Sequence, residues 1–307
     1  MRSLMIVALG ASMACGSSTP SAPATNNPPA PQPAVIPSDV SPAVRSMLEA
    51  VPQQIASALT ENRSTLPLNP NIASYINAKI AMLERSTLLS EIYNGRFFVE
   101  GSTTSISGRV VPVLAVFAQE QMRTEATEAV RAIERSLPVL EEFMRTAFPT
   151  AEIRLWYGFK IGNSGGGGAI FSEDRTTYEA RTPATRLPFN AILFHEVSHS
   201  YIGSEGMNQF LELYTYNVLQ TGSSQLSSWT FLRGWTPMLD ANKDVAAVLD
   251  VYQWLGKDAM SSAYAALYPL RPPYGSPLTP PMIQVFVDRA PAANKTQVSQ
   301  KLGQVTF

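Results

Sequence analysis

Ala191-Ile192-Leu193-Phe194-His195-Glu196-Val197-Ser198-His199-Ser200-Tyr201 is the stretch on which the reading of this chain turns. Apolar residues lead into the histidines, so the run reads as part of a buried helix over 187–202. On a helix, residues four apart share a face. His195 and His199 can therefore hold one metal ion together, and Glu196, one step round, can reach a water on that ion. Neutral imidazoles suit Zn²⁺. They are the only two histidines in 307 residues. Chance sets two histidines four apart in about 1% of arrangements, and the internal glutamate makes coincidence rarer still. The plain alternative is a pair of partly exposed helix histidines beside a surface glutamate.

Upstream, Glu152 to Ile161 alternates and is rich in aromatics, the pattern of a strand. Gly162 to Gly168 follows, with four consecutive glycines from Gly165. The run lacks the Lys and Ser/Thr of a phosphate loop, so it reads as a flexible loop beside an edge strand. Ala169–Phe171 and Thr176–Arg181 read as a further hairpin or edge strands. Still earlier, Ser41 caps a helix that Pro52 should kink or split. A second helix is expected from Ile72 to Tyr93. Arg96–Val99 is strand-like, and Gly108–Phe117 fits a strand or the start of a helix. Gln119–Phe148 reads as two helices broken at Pro138. Downstream, Gly203-Ser204 stops the metal helix and caps another over 205–220. Helices follow near Ser228–Gly234, Val245–Leu255 and Asp258–Leu267. A proline-rich stretch follows, then Ile283–Val287 as a strand or short helix.

From about Glu152 to Gln220 the sequence resembles the zincin metallopeptidases: a strand, a loop with an edge strand, the H-E-x-x-H helix, and a following helix with a glutamate. The resemblance implies an α+β, zincin-like fold, a small and mostly antiparallel sheet packed on the active-site helix with a largely helical remainder. It also implies that Glu196 is the general base, that His195 and His199 are two zinc ligands, and that the edge strand binds an extended peptide. A catalytic zinc site usually has three protein ligands. No third histidine remains, so the third is expected to be a carboxylate, which points to the gluzincin branch. Two glutamates compete. Glu212 lies thirteen residues after His199, and a rise of ~1.5 Å per residue returns it to the height of the histidines if the two helices are antiparallel. Glu205 stands at the turn, too high unless the first helix ends early. Yet Glu205-Gly206 with Phe210-Leu211-Glu212 looks like the E-G-x-x-x-F-L-E run of some gluzincins, in which the first glutamate is the ligand. Glu212 is preferred, with Glu205 as the alternative. Asn208 and Asn217 are candidate hydrogen-bond partners for the histidines. Tyr214, Tyr216, Tyr252, Tyr264 and Tyr274 are candidates to stabilise an oxyanion.

The chain begins with Arg2, an apolar run from Leu4, and Ser12-Met13-Ala14-Cys15. The order is that of a secretory signal. With the only cysteine at the junction, it resembles a bacterial lipoprotein signal, which implies a signal peptide over 1–14 and lipid on Cys15. The stretch 15–40 is Pro-, Ser- and Ala-rich and reads as a semi-rigid tether. The remainder, 41–307, is expected to be the metallopeptidase domain: a helical part over 41–150, the zincin core over 151–220 and a second helical part over 221–307. The chain is 45% apolar and 15% charged, with 23 basic against 24 acidic residues. Wholesale disorder is excluded, and no basic excess is available for nucleic acid. No apolar run is long enough to span a bilayer.

The expected function is a zinc-dependent peptidase, one Zn²⁺ per chain, acting on peptides or proteins in the bacterial cell envelope through a lipid anchor, or alternatively secreted. The competing class is a non-catalytic envelope lipoprotein that binds peptide or envelope material with a structural or degenerate metal site. A di-iron carboxylate protein needs a second Glu-x-x-His, which two histidines cannot supply. A peptide deformylase needs a cysteine ligand, and Cys15 lies in the signal.

Overall fold

The computed structural model describes residues 34–181, 188–226, 243–270 and 277–305. The expected signal, most of the tether with Cys15, and the helix near Ser228–Gly234 lie outside these residues. Ile36 and Val40, at the end of the expected tether, pack against the core. Asp39 pairs with Arg96 at 2.8 Å.

Helix α1 (Pro42–Thr65) starts where Ser41 Oγ accepts the Val44 amide at 3.2 Å, with proline in the first turn. It runs unbroken through Pro52, which removes the donor that would reach the Leu48 carbonyl. The Tyr93 hydroxyl donates to that carbonyl instead, at 2.8 Å. The expected single helix over 72–93 is two, α2 (Ala73–Leu83) and α3 (Leu88–Asn94). Strands β1 (Phe98–Thr104) and β2 (Val110–Phe117) form a hairpin, and α4 (Arg123–Met144) continues through Pro138 as one helix. Its apolar face, including Ala126, Ala129, Ile133, Leu137 and Leu140, is fully buried.

Strand β3 (Ile153–Tyr157) is followed by β4 (Ser164–Gly166) and β5 (Ala169–Ser172). The five strands lie in the order β1-β2-β3-β5-β4. The outer pairs β1–β2 and β4–β5 are antiparallel, and the inner pairs β2–β3 and β3–β5 are parallel, with Ala115 opposite Leu155 and Leu155 opposite Ile170. The sheet is thus mixed, because α4 carries the chain back to the starting end before β3. The glycine run is split, its first half lying in the edge strand Ser164–Gly166 and its second half forming the turn to β5. The stretch expected as a strand at Thr176–Arg181 is helix α5 (Arg175–Arg181). Asp174 explains the difference, accepting from the Thr177 amide and hydroxyl, each at 2.9 Å, in an N-cap arrangement.

The motif lies on α6 (Phe189–Ser198), and α7 (Glu205–Thr221) follows, capped by Ser204 Oγ. Helix α8 (Lys243–Leu267) bends at Gly256, where φ is 74°, close to the expected break. Helices α9 (Pro280–Val287) and α10 (Lys295–Leu302) complete the described chain. Phe143 of α4, Phe210 and Tyr214 of α7 and Tyr264 of α8 form an aromatic core with ring centroids 4.5–6.1 Å apart. No described helix is long and apolar enough to cross a membrane.

Candidate metal centre

Helix α6 ends at Ser198, four residues before the expected end at Ile202. The last turn tightens, with Ser200 N–H donating to Val197 O and Tyr201 N–H to Ser198 O. Asn208, on the next helix, takes the Ile202 carbonyl at 2.7 Å, so the turn is fixed by α7 rather than by local sequence. The early stop brings the first turn of α7 down to the histidines.

His195 Nε2 and His199 Nε2 face each other at 3.0 Å. The Glu205 carboxylate lies 3.1 Å from the first and 3.5 Å from the second. One ligand atom from each of the three residues falls within 4.8 Å of the others, a cluster that can hold a metal ion. Glu212 is elsewhere. Its Oε2 lies 3.4 Å from Nδ1 of His195, the ring nitrogen on the other side of the imidazole from Nε2. The cluster contains Glu205, the alternative of the two glutamates: Glu205 faces the paired Nε2 atoms, and Glu212 stands behind one of the rings. Asn208 backs the other, with its amide nitrogen 2.7 Å from His199 Nδ1. Asn217 is not at the site. It holds the Ser223 carbonyl beyond the end of α7.

Glu196 is 4% exposed. Burial raises its carboxyl to about 7; the charges of His195 and Lys160 oppose this and those of Glu205 and Glu212 add to it. For His195, burial alone would lower the imidazole, but the carboxylates of Glu205 and Glu212 outweigh it and raise it. Burial and the neighbouring His195 charge both lower His199. Three carboxylates around two imidazoles form a nest for positive charge. Two nitrogens and one oxygen converging on a common point, beside a further carboxylate, make the N,N,O donor set that Zn²⁺ takes. The residues present fit such an ion.

Gly165 explains how the edge strand reaches this helix. A Cβ there would sit 2.4 Å from the Glu196 carbonyl oxygen. Gly206 does the same on the far side, where a Cβ would meet Asp244 of α8 at 2.5 Å. The tyrosines are accounted for differently. Tyr214, Tyr252 and Tyr264 belong to the aromatic core, Tyr216 packs against it, and Tyr274 lies outside the described residues.

No protein-family model matches the chain, and no curated protein does. Among solved structures, an M1 zinc metallopeptidase from Deinococcus radiodurans is similar, with 11% identity and a TM-score of 0.48 over 68% of this chain and 52% of that one. A mutant of an M1 zinc metallopeptidase from the same organism, bound to a Tyr-Ser-Ala substrate, gives 10% identity and a TM-score of 0.48 over 67% and 52%. A two-domain M1 zinc metallopeptidase mutant bound to L-arginine gives 10% and 0.44 over 67% and 50%. The chain spans about half the length of these structures. What it can do at this site follows from its own side chains.

Proposed function

We propose that the chain is a zinc-dependent peptidase in which His195, His199 and Glu205 hold one metal ion and Glu196 is the general base. The observation that carries this reading is the meeting of two Nε2 atoms and the Glu205 carboxylate beside the buried Glu196. A purely structural site has no need of that fourth group. When bound, the metal would supply Lewis acidity and lower the pKa of a water towards ~7. Glu196 takes the proton of the attacking water at its carboxylate and returns it to the leaving amine. Asn208 holds the His199 ring from behind, and the Glu212 carboxylate stands 3.4 Å behind that of His195. Strand β4, at the sheet edge and against α6, offers N–H and C=O groups to an extended peptide. The sequence over 1–15 supports lipidation at Cys15 and work in the bacterial envelope on peptide or protein substrates.

The test is cleavage of an internally quenched peptide library by the zinc-loaded chain, beside Glu196→Gln. The wild type should cleave. The variant should keep its zinc and lose about 10³-fold or more in turnover. A variant as active as the wild type contradicts the role of Glu196. A zinc-loaded wild type that cleaves nothing leaves the competing reading, a metal-holding envelope protein that binds without cutting.

A further inference from the structure

Lys160 follows β3 and is only 8% exposed. An ammonium is buried at a cost unless each of its donors is met. Here the donors are met from two directions. Nζ lies 2.8 and 3.1 Å from the two carboxylate oxygens of Glu61, and 2.9 Å from Ser164 Oγ. It also stands 4.8 Å over the Phe171 ring. Glu61 and Ser164 belong to distant parts of the fold, the last turns of α1 and the first residue of β4. Asn62, beside Glu61, strengthens the same connection. Its Nδ2 donates to Phe159 O and its Oδ1 accepts from Ile161 N–H, each at 3.1 Å, so the backbone is held on both sides of Lys160. Ser164 adjoins Gly165, the residue that touches the backbone of Glu196.

We propose that Lys160 is a positioning residue, coupling the end of α1 through Ser164 to the strand that lies against Glu196; this rests on the peptidase reading above. A methionine would fill the same volume and pack on Phe171. It would donate to neither Glu61 nor Ser164. The lysine therefore fixes where β4 stands over the metal helix, and with it the line along which a peptide main chain would pair.

The experiment uses the full, zinc-loaded chain and the variants Lys160→Met, Lys160→Arg and Ser164→Ala. Amide hydrogen exchange is followed over 162–168 alongside zinc content, kcat and KM. Lys160→Met should keep its zinc, speed exchange over 162–168, and raise KM about tenfold while changing kcat much less. Lys160→Arg, which keeps the charge, should recover most of the loss. Ser164→Ala, which removes only an exposed acceptor, should move KM in the same direction by less. Cleavage by the wild type with unchanged exchange and unchanged KM in Lys160→Met would overturn the positioning role alone. Equal losses in Lys160→Met and Lys160→Arg, with kcat falling as far as KM rises, would reduce Lys160 to a structural residue. A wild type that cleaves nothing would overturn the peptidase reading and this role with it.

Discussion

Glu205 and Glu212 stand seven residues apart on α7, two helical turns, and meet opposite sides of the same imidazole. That separation gives them different work. Glu205, with a side chain 43% exposed, opens towards solvent at the Nε2 atoms, whereas Glu212 is 7% exposed behind His195. Glu212→Gln should therefore keep the site but weaken zinc affinity by about 10–100-fold, measured by competition with a chromophoric chelator. An affinity equal to that of the wild type would deny Glu212 any hold on the ring. The histidine pair and Glu196 were legible in the sequence because helix periodicity alone brings them together. The rank of the two glutamates was not. It depends on α6 stopping at Ser198, and that stop is tied by Asn208 from another helix. The E-G-x-x-x-F-L-E likeness pointed to the glutamate that the geometry favours.

At the scale of elements, the glycine run shows why composition alone misleads. Four glycines read as a loop. Two of them, Gly165 and Gly166, lie in the edge strand, and at Gly165 a helix backbone passes where a side chain would be. Gly165→Ala should force β4 and α6 apart, costing ~1–3 kcal/mol in a urea unfolding midpoint as overpacking does. It should also lower kcat/KM, even with zinc content retained. Wild-type stability in that variant would mean the contact relaxes freely. Other elements follow the same logic. Pro52 does not split α1, since Tyr93 supplies the donor for Leu48 from 45 residues away. Asp174 turns an alternating stretch into α5 by capping it. The extent of α7 was readable from local pattern, whereas β3 covers only the first half of its expected run, since Asn62 of α1 takes the backbone at Phe159 and Ile161.

Across the whole molecule, buried polar ties join the N-terminal helices to the site-bearing half. Lys79 of α2 pairs with Asp174, with side chains 8% and 11% exposed. Burial by itself raises the Asp174 carboxyl, but the Lys79 charge and the hydrogen bonds from Lys79 and Thr177 outweigh it and hold it below its ordinary value. A carboxylate lowered in the folded state adds stability that is complete above its unfolded pKa, about 3.9, and is lost as pH falls through the folded value. Urea midpoints should fall on acidification below about pH 4, and the fall should be smaller in Asp174→Asn. That variant should already be less stable at pH 7 by ~3 kcal/mol, because it leaves Lys79 buried without its partner. An acid limb of equal steepness in both proteins would remove Asp174 from the account. At the same scale, Cys15→Ser should move the protein from the detergent phase to the aqueous phase on fractionation of a bacterial host; an unchanged partition would contradict the lipid anchor. The central claim is a zinc ion held by two histidines and the first glutamate of α7. Elemental analysis of the zinc-loaded wild type, Glu205→Ala and Glu212→Ala tests it most directly. One zinc per chain is expected in the wild type, loss in Glu205→Ala, and retention at saturating zinc in Glu212→Ala. A full complement in Glu205→Ala with loss in Glu212→Ala would contradict it, as would a wild type that takes up no metal at neutral pH.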